Sequence, residues 1–179
     1  MRSYADAASD VPWATGGVQL AREAVFPALA VALIVGYSDI RIPLGLPGHR
    51  GLVWLTSLVA VALVARWRET VVAVGAASTV STLMLHGVGD AWASTRDLSA
   101  AILLYAVATL PWVRPRRWLI VPAAAPIHLV ALLGRGQLSA VVSTGVVEKV
   151  MCHLGFGLIA GLLGWTIAFG VGGRREWVS

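Results

Sequence analysis

"GVVEKVMCHLGFGLIAGLLGWTIAFGV", residues 145–171, decides the fold class. After Glu148 and Lys149 the stretch holds no Asp, Glu, Lys or Arg. It is longer than the ~20 helical residues that cross a hydrocarbon core ~30 Å thick. It does not alternate apolar with polar residues, as a barrel strand would. A helix satisfies its own backbone hydrogen bonds in lipid, so a helix is the expected conformation. The rest of the chain agrees with this segment. Of 179 residues 58% are hydrophobic and 13% charged, and the mean hydropathy is +0.78. A water-solvated domain of this length cannot hide that much apolar surface, so lipid is expected to be part of its solvent.

Working outward from residue 145, five more stretches carry the same signal: 18–37, 51–66, 70–88, 98–113 and 117–134. The expected fold is an all-α integral membrane protein, a compact bundle of six transmembrane helices with both termini cytoplasmic. Residues 1–17 read as a polar or interfacial tail, 18–172 as the transmembrane domain and 173–179 as a cytoplasmic tail. "MRSYADAASDVPWATGG" lacks the apolar core of a signal peptide. The orientation follows from the basic residues. With the N-terminus inside, nine of the 14 fall on cytoplasmic segments: Arg2, Arg22, Arg66, Arg68, Arg114, Arg116, Arg117, Arg174 and Arg175. Arg41, Arg50, Arg96, Arg135 and Lys149 fall outside. The inner turns "ARWRE" and "WVRPRRW" also carry Trp, an interfacial anchor. The net charge of +5 therefore reads as topology, and no nucleic-acid partner is inferred. The single Cys152 excludes an internal disulfide and a Cys-cluster metal site.

This topology puts His49, His86, His128 and His153 on the outer side. Ionisable groups at membrane depth are costly and point to function by default. Glu148 and Cys152, like Lys149 and His153, are one helical turn apart and share a face. Glu148 and Lys149 also fit interfacial residues without a ligand, and His153 fits a hydrogen bond to a neighbouring helix. His128 follows "PAAAP", where Pro122 and Pro126 free backbone carbonyls and can kink the helix. It either lines a cavity at the kink or bonds a freed carbonyl. Ser78, Thr79, Ser81 and Thr82 fit helix packing better than ligand contact. Asp90, Trp92, Arg96 and Asp97 read as an outer loop, in which Trp92 either stacks on a ligand or sits at the interface. "IPLGLPGHRGLVW", residues 42–54, mixes rigid prolines with permissive glycines around His49 and Arg50. It is either a lid or the entry loop to the second helix. No nucleophile–base pair is legible, so an enzyme is not expected.

Two stripes of small residues stand out: Ala24, Ala28 and Ala32 in the first helix, and Gly157, Gly161 and Gly164 in the last. Such stripes allow a second helix to approach closely, from the same chain or from a partner.

In this pattern the chain resembles the substrate-binding (S) components of energy-coupling factor transporters. "AVFPALAVA", residues 24–32, is similar to the alanine motif of that family, and "IRIPLGLPGHRGLVW", residues 40–54, to its first loop. The resemblance implies a multi-pass protein of a prokaryotic cytoplasmic membrane that captures a small polar solute, vitamin-like or a micronutrient, at the outer face. It implies docking through Ala24, Ala28 and Ala32 on a transmembrane coupling subunit that works with two cytoplasmic ATPases. The chain has no Walker motif of its own. The candidate solute-binding residues are His49, Arg50, Trp54, His86, Trp92, Arg96, His128, Glu148, Lys149 and His153. They are mostly donors and cations with aromatic walls, which favours a polar or anionic heterocycle. No cofactor is expected on this reading. The alternatives are a redox subunit in which His128 and His153 hold haem b or a divalent metal, and a ligand-free structural subunit of a membrane assembly.

Overall fold

A computed structural model describes residues 12–38, 40, 48–87, 91–132 and 145–172, with the side chains of 12–15, 91–94 and 172 left aside. Every element among the described residues is helical. The first helix begins at Pro12, inside the segment read as a tail. It runs as α1 (Pro12–Leu20), a π turn over Ala21–Val25 and α2 (Phe26–Ser38). The turn widens where Phe26 N–H reaches back to Ala21 O, next to Pro27, which has no N–H to donate. The remaining helices are α3 (Gly51–Val64), α4 (Thr70–His86), α5 (Ala91–Thr109), α6 (Ile120–Ile127) and α7 (Val146–Gly172).

Two of these segments are long and apolar enough to cross a membrane: Gly16–Ser38, with 23 residues, and Val146–Val171, with 26. Gly51–Val64, Thr70–His86 and Arg117–Leu132 are apolar but shorter. Each of the six apolar stretches therefore carries helix, yet among the described residues two segments alone meet the length and composition of a full crossing. The 14 residues of α3 rise only about 21 Å.

The short helix is the axis of the molecule. Leu55, Leu58, Val59 and Val61 of α3 are fully buried. α3 packs on α7, α2, α5 and α4, while α4 pairs with α5 and α6 lies on α7. Close approach is set by missing side chains. A Cβ at Gly75 would sit 2.5 Å from the Ala101 methyl, so α4 and α5 meet almost backbone to backbone. On α7, a Cβ at Gly157 would meet Ala124 O at 2.7 Å, one at Gly161 would meet Val121 O at 2.5 Å, and one at Gly164 would meet Val59 Cβ at 2.7 Å. The glycine stripe of the last helix is thus occupied by α6 and α3 of the same chain. The alanine stripe is not: Ala24, Ala28 and Ala32 are all exposed.

Two expectations are corrected. Arg96 and Asp97 are not in a loop, because α5 starts at Ala91 and carries both. The segment expected as one helix over 117–134 is a 3-10 turn at Arg117–Leu119, then α6, then a second 3-10 stretch at His128–Leu132. Pro122 and Pro126 remove two donors there, and the helix tightens immediately after Pro126.

The outer surface of the bundle is rich in large apolar side chains. Leu29 and Leu33 of α2, Met84 and Leu85 of α4, and Leu158 and Leu162 of α7 are all exposed. One end gathers the arginines. Arg22 Nη2 donates to Val171 O at 3.2 Å, Arg66 N donates to Glu23 Oε1 at 2.8 Å, and Arg68 donates to Ala108 O. The π turn of the first helix thus lies beside the ends of α3 and α7, and the turn after α3 lies beside the end of α5.

Candidate functional site

A continuous run of polar side chains crosses the interior on the far side of α3 from that end. It begins at Asp97, which is 3% exposed and accepts a hydrogen bond from Arg96 Nε at 3.1 Å. A carboxylate so buried is tolerable only with such a partner. The Arg96 guanidinium carbon lies 5.0 Å from the Trp54 ring centroid, within cation–π range. Trp54 stacks on His128, with centroids 5.7 Å apart and planes 4° from parallel. His128 in turn meets His153 at 5.1 Å and a tilt of 47°. Helices α5, α3 and α7 and the 3-10 stretch after α6 each supply a rung.

Glycines make the space. Gly51, the first residue of α3, lies so close to His128 that a Cβ there would overlap Nε2. A Cβ at Gly157 would come within 2.8 Å of His128 Cβ. Gly48, at φ 91°, lies against His153, where a Cβ would come within 3.2 Å of Cγ and Nδ1. Only glycine takes that φ without strain, so the turn before α3 presses its backbone onto the imidazoles.

The two histidines differ in their hydrogen bonding. His153 Nδ1 is 2.8 Å from Lys149 O in its own helix, which leaves Nε2 as the acceptor nitrogen when Nδ1 carries the proton. The expected bond from His153 to a neighbouring helix is replaced by this local one. His128 is completely buried, and neither of its ring nitrogens has a hydrogen-bond partner. It does not bond a carbonyl freed by the prolines. Trp54 Nε1 is likewise buried without a partner. Buried polar atoms are nearly always paired, so three orphans on two stacked rings are a concentration of unmet hydrogen-bonding capacity.

The other candidates fall outside this run. Arg50 and Glu148 are exposed, and His49 and Lys149 are half-buried. His86 is exposed, with Nδ1 3.1 Å from Thr82 O one turn back. The side chain of Trp92 and residues 42–47 of the expected lid lie outside the described residues. What touches the histidines is the backbone of Gly48 and Gly51. In that segment the sequence offers His49 and Arg50 as the candidate site residues and Gly48 and Gly51 as turn formers, whereas the glycines make the contacts. Their spacing, one turn apart at a helix start, was the available signal. Asp97 was also missed as a site residue, because it was assigned to a loop.

The geometry does not suit a haem between His128 and His153. Their rings touch each other, and Gly51 covers His128 Nε2, so no slot for a macrocycle exists between them. For a divalent metal, no group of three or more His, Cys, Asp or Glu is gathered among the described residues. Compared with protein-family models, with characterised proteins and with solved structures, the chain matches none.

Proposed function

We propose that the chain is a multi-pass membrane protein that binds a small polar or anionic solute at the Arg96–Trp54–His128–His153 run. We further propose that it is the substrate-binding subunit of an importer of the energy-coupling factor type. The observation that carries the solute reading is the set of unpartnered atoms, Trp54 Nε1 and both His128 nitrogens, beside the Arg96 guanidinium. A guest with acceptor and donor edges would supply bonds at Trp54 Nε1 and at His128 Nδ1, the nitrogen that Gly51 does not cover, and stacking rings with one cation favour a flat, electron-rich molecule. The membrane reading rests on the two long apolar helices and on the exposed leucines around the bundle. Trp67, Trp112 and Trp118, exposed beside the arginine turns, fit a cytoplasmic interface, with both termini on that side. The importer reading rests on the family resemblance and on the exposed alanines of α2, a face able to meet the coupling subunit.

Two measurements test it in sequence. A thermal-shift screen of the detergent-purified protein against anionic heterocycles of vitamin size should raise the midpoint for one class, and Trp54→Phe should weaken that rise by about tenfold in ligand concentration, the loss of one buried hydrogen bond. An identical response in Trp54→Phe would remove the solute from this site. Affinity purification from the native membrane should recover a coupling subunit and two ATPases. Solute binding without these partners would leave the site standing and sink the importer.

A further inference from the structure

The arginine end of the bundle holds a second constellation, independent of the solute run. The turn between α3 and α4 and the connection between α5 and α6 together enclose a recess of about 30 Å³. Arg66, Arg68, Arg114 and Arg117 line it, with Ala65 and Val113 among the apolar wall residues. No carboxylate lines it among the described residues. Arg68 is anchored by its bond to Ala108 O, which fixes one guanidinium at the rim. Burial first, then the nearby charges of Arg114 and Arg117, weaken the hold of Arg68 on its proton, while Glu69 and Tyr105 act in the opposite sense. The lining cations thus repel one another around a space that an anion would neutralise.

We propose that this recess is a binding site for a phosphoryl group. Guanidinium forks match phosphate oxygens in geometry and charge, and four arginines from two turns line this one recess, with the Arg66 guanidinium over the Trp67 ring and that of Arg68 donating to Ala108 O. The apolar wall and the exposed Trp67, Trp112 and Trp118 nearby fit an anionic phospholipid headgroup. The same donors would also accept free phosphate.

The full chain, purified in a neutral detergent, should be titrated with phosphatidylglycerol, phosphatidylcholine and inorganic phosphate, with binding read by native mass spectrometry and midpoint shift. Phosphatidylglycerol should bind at least about tenfold more tightly than phosphatidylcholine, and Arg114→Gln and Arg117→Gln should each weaken it about fivefold to tenfold. Arg116→Gln removes the same charge from an exposed neighbour that does not line the recess, and should change binding less than about twofold. Retention of phosphatidylglycerol against millimolar phosphate assigns the site to lipid, and displacement assigns it to a soluble phosphate. Binding of neither ligand, or equal losses in Arg116→Gln and Arg114→Gln, overturns the proposal. Arg114 and Arg117 are both exposed, so two independent variants guard against a folding artefact in one.

Discussion

The first and last helices carry the same sequence device and use it in opposite ways. On α7, Gly157, Gly161 and Gly164 are buried against α6 and α3. On the first helix, Ala24, Ala28 and Ala32 are exposed, and a Cβ at Gly36, one step further along the stripe, would meet nothing within 4 Å. Small residues four apart allow backbones to approach, because helix association in lipid depends on packing rather than on the hydrophobic effect. They do not say whose backbone approaches. In α7 it is the chain's own. In α2 the stripe lies on the surface beside exposed Leu29 and Leu33, so a smooth track runs between bulky side chains.

The sharpest way to break the comparison is to fill the closed seam. Gly161→Leu drives a four-carbon side chain toward Val121 O, which an added Cβ alone would reach at 2.5 Å. Backbone cannot rotate away as a side chain can. The expected cost is about 3 kcal/mol or more. Thermal unfolding in detergent, followed by tryptophan fluorescence and size exclusion, should show a lower midpoint or loss of the monodisperse species. A wild-type midpoint in this variant would mean that α6 and α7 are not held in the described contact.

Much of this closed architecture was legible in the sequence. The apolar runs fall on the helices because hydropathy reports burial from water, whether in protein or in lipid. The arginine turns fall together because Arg66 and Arg68 lie between α3 and α4, and Arg114 and Arg117 between α5 and α6, at the same end of the bundle. What the sequence hid was local. Asp97 looked like a loop residue because a carboxylate is costly at helix depth, and the guanidinium that pairs with it is its own neighbour, which periodicity does not weigh. His49 and Arg50 drew notice for their charge, while the contacts with His153 and His128 are made by Gly48 and Gly51, which have no side chain to notice. The glycine and alanine stripes were equally legible, and their opposite uses were not, since the pattern encodes proximity without a partner.

A smaller perturbation probes the tight fit around the imidazole. In Gly51→Ala the new methyl would overlap His128 Nε2, so the ring must shift and disturb its stacking on Trp54. The expected loss is about 1–3 kcal/mol, as for other overpacked interiors. His128→Ala removes the obstacle. The double variant should therefore be destabilised by less than the sum of the two single changes, with a coupling of about 1 kcal/mol or more. Additive midpoint shifts would mean that Gly51 and His128 do not meet.

The smallest expected effect on the fold comes from the open stripe, and it separates the two helices most cleanly. Ala28 is exposed on α2, so Ala28→Leu adds bulk on a face left open by the described residues. Leucine is also a good helix former, and the midpoint should stay within about 0.5 kcal/mol of the parent. If α2 is a track for a partner helix, the same substitution blocks close approach of that helix. Complex recovered from native membranes should then fall sharply while the isolated chain remains folded. Unchanged recovery with Ala28→Leu would return the stripe to the ordinary lipid-facing surface. A drop in the midpoint of the isolated chain would instead mean that α2 packs against its own bundle through this face. The contrast with α7 thus reduces to one pair of substitutions: leucine at Gly161 tests whether the chain closes on itself, and leucine at Ala28 tests whether it stays open to another.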